Sequence, residues 1–296
     1  MRVLLLGILS GIVLLGCVRQ TDNKIVSPAV LPDTASAVIP TQDTFYNEDL
    51  FMQSIVSAEH VEPIHAVRVI VVPHHLLASD IIASLIAATA VDTVERVIMI
   101  GPNHNDVSAS TLSSAQVTWN TPLGDVETDG NTVRALLDFL DIPAQPDAFL
   151  EEHSVGALMP FLRHYMPDAR VVPILFNSTA TQDDAARVAA WLADNLGARD
   201  FVIVSTDFSH YLTQSQADEH DEITVELILN GRVERIMGLD NSYLDSPASL
   251  AAGMLYADAK KCVSHIVRRG NTNDFTSRSY EETTSYFGIA FVCPTE

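Results

Sequence analysis

Short runs of β-branched apolar residues, separated by helical segments, constrain the fold of this chain more than any other feature. Runs of this kind are typical of strands that are buried on both faces of a sheet. We predict four of them as strands: Val67–Val72, Val97–Ile100, Val171–Phe176 and Phe201–Val204. A further strand is predicted over Ser285–Val292, where the sequence reads SYFGIAFV.

Helical patterns lie between and after these strands. We predict helices over 80–91, 159–166, 183–196, 215–230 and 247–260. Alternating strands and helices are typical of an α/β domain. The predicted fold class is therefore a single α/β domain around a mostly parallel sheet.

Composition excludes two classes of protein. The chain has 296 residues and a formal net charge of −21, with 17 Lys+Arg against 38 Asp+Glu. So few basic residues argue against a nucleic-acid-binding protein. Because 47% of the residues are hydrophobic, the chain is also not a disordered acidic polymer.

The N-terminus predicts an export signal at residues 1–16. Arg2 precedes an apolar run that is too short to span a bilayer but fits the hydrophobic region of a signal peptide. The run ends in Leu-Leu-Gly followed by Cys17, which resembles the cleavage site of bacterial lipoproteins. We expect Cys17 to be lipidated, so that the protein is membrane-anchored in the cell envelope on the extracytoplasmic side.

Residues 17–45 are predicted to form a flexible tether, and residues 46–296 the folded domain. Pro, Thr, Ser, Ala and Asp dominate the tether without a helical period. The remaining cysteines, Cys262 and Cys293, are single and far apart. We favour two buried thiols here, and a disulfide between them stays open.

Histidine and aspartate follow three of the predicted strands directly. His74 and His75 follow the first strand, His104 the second, and Asp207 and His210 the fourth. In open α/β sheets, ligands bind beyond the carboxyl ends of the strands. Imidazole and carboxylate are common ligands of iron, copper and zinc. The pattern predicts a metal or catalytic site, to which Glu151–Ser154 (EEHS) adds His153 as a fourth segment.

Six blocks of the sequence resemble, in this order, those of the Memo-like family, whose bacterial members are called AmmeMemoRadiSam system protein B. They are VPHH (72–75), GPNH (101–104), TPLGDVETD (121–129), EHSVGALMPFLRHYMPDARVVPILF (152–176), STDFSHY (205–211) and TSYFGIAF (284–291). The resemblance implies a fold similar to class III extradiol dioxygenases. It also implies a functional link to a radical-SAM protein.

The resemblance further implies a pocket that binds a divalent metal ion, namely iron, copper or zinc. Its metal ligands would be four matching residues: His74, His104, Asp207 and His210. His153 would lie near them, and His153 or His210 would act as the catalytic base.

The sequence departs from the family pattern at two places. His75 stands where the family commonly has glycine, so it would add a ligand or narrow the pocket. The segment Leu244–Ser249 lacks the pocket cysteine of many members, which favours a metal of harder ligand preference than Cu(I).

We therefore expect an exported lipoprotein with a His/Asp metal-binding pocket and a redox or dioxygenase-like activity. Whether it is an enzyme stays open. One alternative is a non-enzymatic scaffold that binds a small molecule or a protein through the same pocket. Another is a metallohydrolase, in which the metal activates water.

Overall fold

A computed structural model describes residues 39–90 and 93–294 of the chain. The predicted signal peptide and the lipidation site at Cys17 lie outside the described residues. The described residues belong to one compact unit that begins at Ile39. Within the range expected to be the tether, Thr41–Asp43 forms a strand that pairs with Thr118–Asn120. No helix among the described residues is both long and apolar enough to cross a membrane.

The strands occupy the regions that the apolar runs predict and several others. In chain order they are β1 (Thr41–Asp43), β2 (Val67–Val72), β3 (Arg96–Pro102), β4 (Leu112–Ser113), β5 (Thr118–Asn120), β6 (Val126–Glu127), β7 (Arg170–Phe176), β8 (Asp200–Ser205), β9 (Phe208–Leu212), β10 (Val263–Asn271) and β11 (Thr283–Val292).

The helices cover the two faces of the main sheet. They are α1 (Glu48–Ala58), α2 (Ser79–Thr89), α3 (Gly130–Leu140), α4 (His153–Gly156), α5 (Met159–Tyr165), α6 (Gln182–Asn195), α7 (Gln214–Leu229), α8 (Val233–Ile236) and α9 (Pro247–Ala259).

The main sheet is mixed, which corrects the expectation of a mostly parallel one. Its order is β10-β11-β2-β8-β3-β7-β4, and β9 pairs with β11 off this path. The central strands β2, β8, β3 and β7 run parallel. β11 pairs antiparallel with both β10 and β2, and β4 pairs antiparallel with β7. β10 is joined to β11 by residues 272–282, a connection shorter than a parallel crossover usually needs, and the two strands form an antiparallel hairpin.

The continuous apolar strands bury alternate residues on opposite faces of the sheet. Val69 and Val71 pack in one core with α6 and α9, whereas Ile70 and Val72 pack in the other with α1, α2 and α5. All four side chains are fully buried. This period of two explains why the runs show no polar alternation, since neither face of these strands meets water.

Cys262 and Cys293 form a disulfide, so the prediction of two buried thiols is wrong. Cys262 precedes β10 and Cys293 follows β11, and the adjacent pair Val263 and Val292 is in register across the two strands. The antiparallel pairing therefore brings together two cysteines that are 31 residues apart.

Candidate metal centre

Three side chains of the site follow parallel strands and therefore lie at one edge of the sheet. β2 leads to His74, its neighbour β8 to Asp207, and β3 beyond it to His104. The backbone N–H of His74 donates to Asp207 Oδ1 over 3.1 Å, which ties the ends of β2 and β8 together. His74 and Asp207 are each only 3% exposed.

The EHS segment lies against the end of β3. Ser154 Oγ donates to the carbonyl oxygen of Pro102 over 2.8 Å. A Cβ atom at Gly101 would lie 2.9 Å from that hydroxyl oxygen, so only glycine permits this approach. The glycine of the GPNH block is therefore required for packing and brings Glu152 and His153 to the site.

Asp245 joins the site from the loop between α8 and α9. Its backbone N–H donates to the carbonyl oxygen of Asp207 over 3.1 Å, and Asp207 N–H donates back to Asp245 Oδ2 over 3.2 Å. Thr206 Oγ1 donates to the other carboxylate oxygen. The side chain of Asp245 is 5% exposed. Two contacts to the carboxylate and one to the backbone thus hold Asp245 beside the end of β8.

Two groups of side chains among the described residues are close enough to share a metal ion. One consists of His74, His104 and His153, and the other of His74, Asp207 and Asp245. Within each group the candidate ligand atoms lie within 4.8 Å of one another. His74 belongs to both groups, so they are two halves of one cluster.

The Nε2 atoms of His74 and His104 both face the carboxylate of Asp245. His74 Nε2 lies 3.2 Å from Asp245 Oδ2, and His104 Nε2 lies 3.7 Å from it. His74 Nε2 is also 3.6 Å from Asp207 Oδ2. Two ligands bound tetrahedrally to one metal, each at about 2.1 Å, are about 3.4 Å apart. The donor set therefore fits a divalent metal ion.

Hydrogen bonds at Nδ1 set the orientation of both rings. The Ser205 hydroxyl donates its only proton to the Ser154 carbonyl, so at 3.1 Å it accepts from Nδ1–H of His74. His104 Nδ1 lies 2.8 Å from Glu152 Oε1, and a carboxylate can only accept. In both rings Nδ1 carries a proton, which leaves the Nε2 lone pair for a metal. Metal-binding histidines commonly have such an outer partner.

Glu152 is 1% exposed and remains ionised because it is surrounded by donors. Burial alone would raise the pKa of its carboxyl group, but the His104 ring and the backbone N–H groups of Ser154 and His104 lower it. Burial opposes the charge on Asp245 in the same way, and the nearby His74 and His104 rings hold its pKa well below the usual range.

These carboxylates change the protonation of the two rings that face Asp245. Burial lowers the pKa of His74, but Asp207 and Asp245 outweigh it, so the net shift is upward. For His104, burial is likewise outweighed by hydrogen bonds to Asp245 and Glu152, and its pKa rises to about 10. Without a metal, the ring of His104 is protonated at pH 7 and the raised pKa of His74 favours its protonated form, so positive charge partly offsets the buried carboxylates, as a divalent cation would.

His153 differs from both of these rings. It stacks on His104 with ring centroids 4.2 Å apart, and its side chain is 41% exposed. Burial, together with the positive charge of His74 and His104, lowers its pKa to about 4. His153 is therefore neutral at pH 7 and can accept a proton at the open side of the cluster.

The structure does not bring His210 into either group of candidate ligands. This residue lies in β9, between Ser209 and Tyr211, whose φ angles of 21° and 56° are positive. Its Nδ1 atom is buried and has no hydrogen-bond partner among the described residues. His210 is still near enough to Asp245 to lower the pKa of that carboxyl group. A role as ligand or base stays a prediction.

His75 belongs to neither group of candidate ligands. Its Nδ1 accepts a hydrogen bond from Leu77 N–H over 3.3 Å, which caps a short 3-10 helix, and its ring lies 5.7 Å from that of Tyr286. The residue that replaces the family's glycine therefore caps a turn.

Two acidic residues of the site, Asp245 and Glu152, were not among the sequence-predicted ligands. Asp245 lies in the same segment, 244–249, that the resemblance associates with a pocket cysteine. That position in the sequence is the one signal that could have identified Asp245 as a residue of the site. Glu152 stands next to His153 in the EHS block but had no separate signal.

The fold and the cluster define a mixed α/β protein with a His/carboxylate site at the carboxyl ends of parallel strands. A family model described as Memo-like protein matches residues 44–266. The chain therefore belongs to the Memo-like family, which confirms the resemblance.

Relatives from archaea support the same membership. The chain is 30% identical to a MEMO1 family protein of Archaeoglobus fulgidus, over 67% of this chain and 76% of that protein. It is 29% identical to one of Caldivirga maquilingensis, over 75% and 82% of the two chains. The match to one of Pyrobaculum aerophilum is 28% identical over 66% and 71%.

Proposed function

We propose that this Memo-like protein is an exported, lipid-anchored metal-binding protein with redox or dioxygenase-like activity. One observation carries the metal-binding part: the Nε2 atoms of His74 and His104 both face the buried carboxylate of Asp245, at 3.2 and 3.7 Å. We further propose that Asp207 completes the ligand set.

The proposed export is supported by two independent features. The N-terminal sequence has the charge, length and cysteine of a lipoprotein signal. The disulfide between Cys262 and Cys293 suits an oxidising compartment outside the cytoplasm. An acidic domain would also be repelled by an anionic bilayer, which keeps it in solution at the length of its tether.

The proposed activity requires a base and an open coordination position. A bound metal would act as a Lewis acid, and iron or copper would add one-electron chemistry. His153 is neutral and half-exposed at the edge of the cluster, so it can take a proton from a hydroxyl group of a substrate. This arrangement supports a pocket like that of class III extradiol dioxygenases.

Metal loading tests the proposal directly. We expect the purified full chain, stripped with a chelator and then dialysed against Fe(II), Cu(II) or Zn(II), to retain about one ion per chain for at least one metal. Elemental analysis gives the stoichiometry. His104→Ala should lose the ion, whereas His265→Ala, at an exposed residue of β10, should keep it. Failure of all three metals to bind stoichiometrically would contradict the proposal.

Metal affinity should rise with pH. The pKa of His104 is raised to about 10, so this ring is protonated at neutral pH, and the raised pKa of His74 favours its protonated form as well. A metal must displace these protons, and affinity should increase about tenfold per pH unit for each proton displaced. Titration calorimetry between pH 6 and 8, in buffers of different ionisation enthalpy, counts the protons. An affinity that does not change with pH would contradict this assignment.

A further inference from the structure

A cavity of about 410 Å³ adjoins the candidate metal centre. His104 and Asp245 line it, so a molecule inside it would contact the cluster. The volume lies within the range of small-molecule sites in proteins. The cavity is therefore the place where a ligand of this site would bind.

Apart from His104 and five Asn or Ser residues, the lining of this cavity is apolar or acidic. Its apolar residues include Phe176, Met237, Leu239 and Leu244. Its acidic residues are Asp240 and Asp245, and no Lys or Arg belongs to the lining in the part of the chain that the structure describes. Carboxylate and phosphate groups are usually bound by such basic side chains. Beyond His104 of the cluster, the described lining thus offers no cationic side chain to an additional anionic group of a ligand.

Asp240 is an exposed acidic residue of the lining. Ser242 donates to Asp240 Oδ1 through its N–H over 2.9 Å and its hydroxyl over 2.6 Å. These bonds lower the pKa of Asp240, and the nearby His220 contributes to lowering it. Oδ2 accepts no hydrogen bond from a described residue, and Asp240 forms no ion pair with one. It can therefore accept from an ammonium or hydroxyl group of a ligand.

Asn103 supplies one buried donor on the same cavity lining. Its Oδ1 accepts from the N–H of Val107 over 3.3 Å, so the other amide atom is the NH₂ group. That Nδ2 atom has no partner among the described residues, although Asn103 is 3% exposed. Buried polar groups are rarely left unpaired. An uncharged oxygen of a bound ligand would satisfy this donor.

We propose that the cavity binds a small molecule with an aromatic or apolar body, an oxygen group toward the cluster and a cationic group toward Asp240. This inference rests on the proposed function, because the oxygen group would reach the proposed metal centre. It also gives the net charge of −21 a role, since an acidic surface attracts cationic ligands and raises their association rate.

Two phenols that differ in the charge of the opposite end test this inference. Tyramine carries an ammonium group where 4-hydroxyphenylacetate carries a carboxylate. We expect calorimetry to show that the full chain binds tyramine at least about tenfold more tightly. The preference should appear in both the metal-free and the zinc-loaded protein. Because the metal-free measurement does not depend on metal binding, the two proposals can fail separately.

Asp240→Asn should reduce the preference for tyramine to about twofold or less. The asparagine retains an Oδ1 acceptor for Ser242, so the turn is preserved. Asp138→Asn, which removes an exposed charge on α3, should leave the preference unchanged. Equal or tighter binding of 4-hydroxyphenylacetate, absence of tyramine binding, or an undiminished preference in Asp240→Asn would each overturn the inference.

Discussion

Asp245→Asn is expected to weaken metal binding by about 100-fold or more. Asp245 Oδ2 is the atom that both His74 Nε2 and His104 Nε2 face, so this carboxylate lies at the centre of the cluster. The amide is uncharged and a much poorer metal ligand. Loss of an outer partner of a ligand already costs about 10- to 100-fold in metal affinity, and loss of a ligand should cost more. Competition with a chelator of known affinity measures the change.

Two further variants distinguish a role of Asp245 as metal ligand from a purely structural role. Asp138→Asn removes an exposed charge outside the site and should leave the affinity unchanged. Asp245→Cys introduces the thiol that the family resemblance implies for this segment, and a thiolate should shift the preference toward Cu(I). A merely structural carboxylate would show no such shift in metal preference. Unchanged affinity in a folded Asp245→Asn protein would exclude Asp245 as a ligand.

The central strands could be predicted from sequence because their burial leaves a local signature. β2 spans Val67–Val72, as the run VRVIVV predicts, and its residues pack into cores on both faces. Helix α6 can be predicted from sequence in a similar way, because Thr181 and Asp184 form a capping box at its N-terminus. In these elements the local pattern and the tertiary environment demand the same residues.

The outer strands could not be predicted in the same way. β10 reads VSHIVRRGN and is exposed along much of its length, so its apolar content is low. Its strand conformation depends on pairing with β11, which is a non-local contact. β9 is short and includes positive φ angles at Ser209 and Tyr211, a backbone that propensity does not indicate.

The residues of the site also differ in whether the sequence predicts them. His74, His104 and Asp207 follow predicted parallel strands, and the rule that ligands bind at strand ends brings them together. Asp245 comes from an irregular loop, where no period or strand end marks it. Its position results from reciprocal hydrogen bonds with the backbone of Asp207, which only the folded chain creates.

Reduction of the disulfide between Cys262 and Cys293 is expected to lower the free energy of unfolding by about 3–4 kcal/mol. The bond closes a loop of 31 residues, and its loss frees that loop in the unfolded chain. It also joins β10 to β11, which in turn pairs with β2 and β9 of the site. Because Cys293 lies beside Ala66, before the start of β2, reduction should loosen the end of the sheet opposite the cluster.

Urea denaturation with and without dithiothreitol measures this effect, and thiol titration confirms that two further thiols appear on reduction. The double variant Cys262→Ser/Cys293→Ser should show the lower stability without reductant and no further loss when reductant is added. This insensitivity separates the disulfide from any other action of dithiothreitol on the chain. If reduction left the unfolding midpoint of the unsubstituted chain unchanged, the disulfide would not stabilise this hairpin, and its conformation would depend on strand pairing and burial alone.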